Sequence, residues 1–192
     1  MTGKLRKGFH REANETAESI RAELGLGNFD PLDPWKLAAH LDIEIRKLSD
    51  IAVEEPAVSC LLEEDDKSLS AATVFKGSKR RIVVNDAHGL PRQCSSICHE
   101  LAHGLLLHTP AIAFNASGCR HWDQEMEDEA DCLGGKLLLT DQAARGLVTR
   151  NVAADAAQRR YGISPEMLRY RLNMSGAQRL RQSKNRQPTG NR

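Results

Sequence analysis

Apolar residues return at three- and four-residue steps at the start of the chain: Leu5, Phe9, Ala13, Ile20 and Leu24, with Thr16 in the same register. That spacing predicts one face of an amphipathic helix, ended by Gly25 and Gly27. After the turn Asp30-Pro31-Leu32-Asp33-Pro34, Asp33 is placed to cap a short helix from Trp35 to Leu41, with Pro34 opening it. The period then shifts toward two. Ile43 to Leu48 reads as a strand with Ile43 and Ile45 on one face. Ser59 to Leu62 and Ser70 to Phe75 are weaker strands, and Arg80 to Asn85 is the clearest.

The second half returns to helical periodicity. One helix is expected from about Arg92 to His108, stopping before Pro110, and another from Asp123 to Leu139. Thr140-Asp141 starts a shorter helix. Val152 to Arg160 and Ser164 to Leu172 form a helix pair around a turn at Tyr161-Gly162. Residues 182 to 192 are polar, contain Pro188 and Gly190, and read as a disordered basic tail. The expected organisation is a main α+β domain over 1–145, a helix-turn-helix-like element over 146–181, and that tail.

Composition narrows the possibilities. With 192 residues and 40% apolar content, the chain can build one ordinary core. Its formal net charge of +1 excludes both a polybasic nucleic-acid binder and an acidic disordered chain. No apolar run approaches the ~20 residues that a membrane helix needs. Lys4, Arg6 and Lys7 are followed by His10-Arg11-Glu12 rather than by an apolar segment, so no signal peptide is expected. The five cysteines (60, 94, 98, 119 and 132) are irregularly spaced and suit reduced thiols. A cytoplasmic protein without membrane contact is the expectation.

The chemistry concentrates at His99-Glu100-Leu101-Ala102-His103. Residues four apart share a helix face, so His99 and His103 can present two imidazoles to one ion. Glu100, one position round, can reach a water on that ion and act as general base. A third ligand is then needed. The extended pattern with Gly and His further along the same segment fails, because those positions hold Leu106 and Thr109. The acidic run Glu127-Asp128-Glu129-Ala130-Asp131 offers a carboxylate from the second helix. Glu127 and Asp131 share a face. Glu127 can therefore bind metal while Asp131 orients a ligand histidine through its second ring nitrogen. Glu129 is the competing candidate, on nearly the opposite side of the helix.

These stretches resemble the ImmA/IrrE metallo-endopeptidases. The resemblance is carried by Pro34 to Leu41, Arg80 to Asp86, Cys98 to His108, and Glu127 to Asp131 with Leu137-Leu138-Leu139-Thr140. It implies an α+β, zincin-like (gluzincin-type) fold, with a small β-sheet, an active-site helix and a C-terminal helix-turn-helix-like pair. It also implies Zn²⁺ and endopeptidase action on bacterial or prophage repressor proteins, with Glu127 as third ligand. One departure stands out. Cys132-Leu133-Gly134-Gly135 replaces a Phe-Ala pair frequent in the family, which opens the prospect of close helix packing or a different substrate cleft.

Other signals carry less. Cys94 and Cys98 lack zinc-knuckle spacing. His108 and His121 are oxyanion candidates without a partner pattern, and Trp35 and Trp122 suit packing. The strand from Arg80 is expected to be an edge that pairs with an extended substrate. From Arg159 onward nine Lys or Arg face a single acid, Glu166. Arg159 to Arg186 is the expected docking segment for a partner protein or for the DNA it sits on. Arg169, Arg171, Arg179 and Arg181 could contact phosphates, but a basic helical pair that closes the core is the favoured reading over DNA binding proper. The competing reading is a non-catalytic, peptidase-like regulator that binds a repressor or DNA through those helices.

Overall fold

The computed structural model describes residues 5–62, 69–77, 79–108 and 123–179. Helix α1 (Phe9–Glu23) begins later than the apolar spacing suggests, because Gly8 adopts a left-handed φ of 88° and turns the chain before it. In α2 (Pro34–His40) the Asp33 carboxylate accepts from the backbone N–H groups of Trp35 and Lys36. Strand β1 (Glu44–Lys47) runs directly into α3 (Leu48–Glu54), and a 3-10 helix follows over Pro56–Leu61. Strands β2 (Ala71–Lys76) and β3 (Lys79–Val84) come next. The remainder is helical: α4 (Leu90–Leu105), α5 (Gln124–Leu138), α6 (Asp141–Thr149), α7 (Ala154–Tyr161) and α8 (Pro165–Met174).

The architecture is α+β, mostly helical, with one small sheet in the order β1-β3-β2. β1 pairs parallel with β3, placing Ile45 opposite Ile82, and β2 pairs antiparallel with β3, placing Thr73 opposite Ile82. Two expectations are corrected here. Ser59 to Leu62 is not a strand: Pro56 opens a 3-10 turn, and the segment is tied down when Asn85 Nδ2 donates to the carbonyl of Leu61. The strand from Arg80 is not an edge. β3 is central, and β2 is the edge strand packed next to α4.

Ile82 and Val84 on β3 are buried with Ile97 and Leu101 of α4, Leu133, Leu137 and Leu138 of α5, and Phe9 of α1. Each such side chain contributes about 1.5–3 kcal/mol by leaving water. The C-terminal helices close this core. Ser164 Oγ caps α8 by accepting from Met167 N–H. Arg171 is fully buried. Its Nε donates to the carbonyl of Leu139, and Nη2 pairs with Asp141, which also binds the buried Lys136 at 2.8 Å. Arg171 is therefore no phosphate contact, since its charge is spent holding α8 against α5 and α6. Arg159, Arg169 and Arg179 remain exposed. Arg181 and the expected tail at 182–192 lie outside the described residues. The expected boundary after residue 145 falls within α6. No helix among the described residues is long and apolar enough to cross a membrane.

Candidate metal centre

The apolar stripe of α4 fixes what its other face presents. Cys94, Ile97, Cys98, Leu101 and Ala102 are buried at steps of three, one, three and one, which orients the helix about its axis. His99, Glu100 and His103 flank that stripe, half-buried. Burial pushes the Cys94 thiol up to about 11 and the fully buried Cys98 thiol well above the usual range. Both are free thiols that pack in the core, as does Cys132, whereas the free thiol of Cys60 is exposed.

Helix α5 meets α4 backbone to backbone. A Cβ added at Gly134 would sit 3.1 Å from the carbonyl group of Cys98 and from the amide nitrogen of His99. A side chain there would force the two helix backbones apart by a few tenths of an ångström. At Gly135 a Cβ would sit 2.8 Å from Cδ of Arg171 on α8. Gly134 and Gly135 thus face the neighbouring helices α4 and α8. Their helix-propensity cost, about 1 kcal/mol each relative to alanine, is offset by packing on both sides. Asp131 and Glu127 lie three and seven positions before Gly134, on the same face, and so are delivered to His99.

The resulting geometry is tight. His99 Nε2 lies 3.0 Å from His103 Nε2 and 3.1 Å from Glu127 Oε2, and His103 Nε2 lies 3.7 Å from that same oxygen. Ligand atoms about 2.0–2.1 Å from a tetrahedral ion are separated by about 3.3 Å. The three measured edges bracket that value, so the donor set fits a small divalent ion. On the far side of the first ring, His99 Nδ1 is 2.9 Å from Asp131 Oδ1.

By themselves these groups hold a proton strongly. Burial alone would lower the His99 pKa, but hydrogen bonds to Asp131 and Glu127 outweigh it and raise it to about 10. Hydrogen bonds from His103 and His99 hold the Glu127 carboxyl at about 2.

Four contacts were not anticipated from the sequence. Thr73 Oγ1, on the edge strand β2, donates a short hydrogen bond to Glu100 Oε2. His108, Glu129 and Arg6 form a line leading away from His103. His103 Nδ1 and His108 Nδ1 are 2.9 Å apart, His108 Nε2 is 3.3 Å from Glu129 Oε2, and Arg6 Nε donates to Glu129 Oε1 at 2.7 Å. Glu129 therefore points away from the His99–His103–Glu127 triangle. Both nitrogens of His108 are engaged, which removes it as an oxyanion donor; burial also lowers its pKa. No local sequence signal announces any of these pairs, which join residues from 5 to 123 positions apart. Trp35 packs against the core, while Cys119, His121 and Trp122 lie outside the described residues.

The family model of the IrrE N-terminal-like domain, Peptidase M78, matches residues 39–173. The chain belongs to this family. The match covers both helices of the donor set, the sheet and the C-terminal pair up to Asn173. It makes the protein a metallopeptidase-like member of a metal-dependent family. A comparison with curated proteins found no match.

Proposed function

We propose that this chain is a cytoplasmic zinc metallo-endopeptidase that cuts a partner protein, with His99, His103 and Glu127 as zinc ligands and Glu100 as general base. The observation that carries this reading is the triangle of donor atoms with edges of 3.0, 3.1 and 3.7 Å, beside which Glu100 stands on the next position of the same helix. Two imidazoles and a carboxylate suit Zn²⁺ and leave a coordination position open. When bound, the ion supplies Lewis acidity, polarising the scissile carbonyl and lowering the pKa of a water toward ~7.

The protein's own groups divide the remaining work. Thr73 holds Glu100 through one carboxylate oxygen. The other oxygen takes a proton from the attacking water and delivers it to the leaving amine nitrogen, so the peptide bond breaks with water added across it. Asp131 accepts from His99 Nδ1–H and keeps Nε2 free as a donor to the metal. An extended substrate segment adds to the edge strand β2, whose backbone accepts many sequences. Selection of one partner then falls to a second surface. We assign this role to the exposed arginines of the helix-turn-helix-like α7–α8 pair. By resemblance, the partner is a transcriptional repressor. A purely non-catalytic regulator would have no use for Glu100 or for its hydrogen bond from Thr73.

Glu100→Gln tests this reading. The amide keeps size and hydrogen bonding but cannot take the proton. The variant should retain zinc, capture its partner uncut, and cleave that partner about 10²–10⁴-fold more slowly than the wild type. An undiminished rate would remove Glu100 as the base.

A further inference from the structure

The line from His103 to Arg6 is a chain of groups whose donor and acceptor roles are fixed by its two ends. If His103 binds metal through Nε2, as proposed above, its lone pair is committed there and its proton sits on Nδ1. Nδ1–H then donates to His108 Nδ1, 2.9 Å away. His108 consequently carries its own proton on Nε2 and donates to Glu129 Oε2 at 3.3 Å. Glu129 Oε1 accepts from Arg6 Nε–H at 2.7 Å. Every donor meets an acceptor in one direction only. His108 and Glu129 side chains are 8% and 9% exposed, so water does not replace these partners cheaply.

The backbone is also bent to bring His108 into this line. After α4, Leu107 takes a left-handed φ of 55°, where glycine is usual. The Leu107 and His108 N–H groups bond back to the carbonyls of Gly104 and His103, folding the histidine under the last helical turn. A leucine held in that conformation while the residue is 85% exposed gains little from its own packing. What the turn delivers is the His108 ring.

We propose that His108 and Glu129, anchored by Arg6, are positioning residues that fix the tautomer and orientation of His103. Through this line the segment before α1 governs the metal ligand. The inference rests on the metal reading and extends it. His99 is steadied by one exposed carboxylate on the neighbouring helix, whereas His103 is steadied by a buried line that ends 97 positions earlier in the chain.

Glu129→Gln is the decisive variant because it preserves shape and reverses polarity. With its oxygen toward Arg6, the Gln amide turns an N–H₂ donor toward His108 Nε2. His108 must then protonate on Nδ1, where it meets the Nδ1–H of His103. With the amide flipped, its N–H₂ faces the Arg6 donor instead. Either way one donor faces another. Adding Arg6→Met frees the flipped amide to accept from His108 and restores the line. Zinc affinity is read by chelator competition on the full chain, with Co²⁺ absorption as a second readout of ligand geometry. Glu129→Gln should bind zinc about 10–100-fold more weakly than the wild type. The Arg6→Met, Glu129→Gln pair should recover most of that loss. Unchanged affinity and an unchanged Co²⁺ spectrum in Glu129→Gln would overturn the relay while leaving the metal site standing, as would a double variant no tighter than the single one. A wild type that binds zinc no better than His99→Ala would instead fail the metal reading, and the relay with it.

Discussion

Asp131 Oδ1 lies 2.9 Å from His99 Nδ1, on the opposite side of the imidazole from Glu127. The carboxylate thus fixes which nitrogen carries the proton without taking a place among the three converging donors. Asp131→Ala should weaken zinc binding by about 10–100-fold and leave part of the activity, whereas Glu127→Ala should remove tight binding altogether. Chelator competition on the two variants separates the roles. Equal losses would make Asp131 a direct ligand.

Zinc must displace the proton that His99 holds. The His99 pKa is raised to about 10 and the Glu127 pKa lowered to about 2, so across the neutral range the free donor set carries a proton on His99. Apparent zinc affinity should therefore rise about tenfold per pH unit between about pH 6 and 8, with about one proton released per ion. For the zinc-free chain the linkage has the opposite sign. The raised His99 pKa adds stability that is present below its unfolded value of about 6.5 and is lost as pH climbs toward 10. Calorimetry in buffers of different ionisation enthalpy measures the proton release. Affinity flat across that range would contradict the assignment.

Leu107 holds a left-handed φ of 55° with its side chain exposed. Glycine adopts that conformation without the Cβ clash, at some cost in unfolded-chain entropy. Leu107→Gly should therefore stabilise the chain by about 1 kcal/mol in denaturant unfolding, with zinc affinity retained. A clear loss of stability would show that the leucine makes contacts beyond the turn.

What the sequence revealed, and what it hid, follows one physical division. Helix faces and caps are local: the spacing of Ile97 and Leu101, Asp33 before Pro34, and Ser164 before Pro165 all act within a few residues. So does the four-residue step from His99 to His103. These elements, and the meeting of Glu127 and Asp131 with His99, were legible. Helix α3 was not, because its N-terminal support comes from elsewhere. Asp86 accepts from the Ser49 amide and hydroxyl across 37 positions. Strand order was equally hidden: an apolar run such as Ile82 to Val84 reads alike at the centre or the edge of a sheet, and only the pairing of β1 and β2 with it decides. Arg171 looked like a surface cation because burial of an arginine depends on partners such as Asp141 and the Leu139 carbonyl, 30 and 32 positions away. His108 was hidden behind a left-handed turn built without glycine.

Elemental analysis of the purified chain tests the central claim most directly. The donor triangle of His99, His103 and Glu127 predicts about one zinc per chain in the wild type and almost none in a His99→Ala, His103→Ala double variant that keeps its helical content. Full zinc retained by the double variant, or no zinc taken up by the wild type from zinc-supplied buffer, would contradict it.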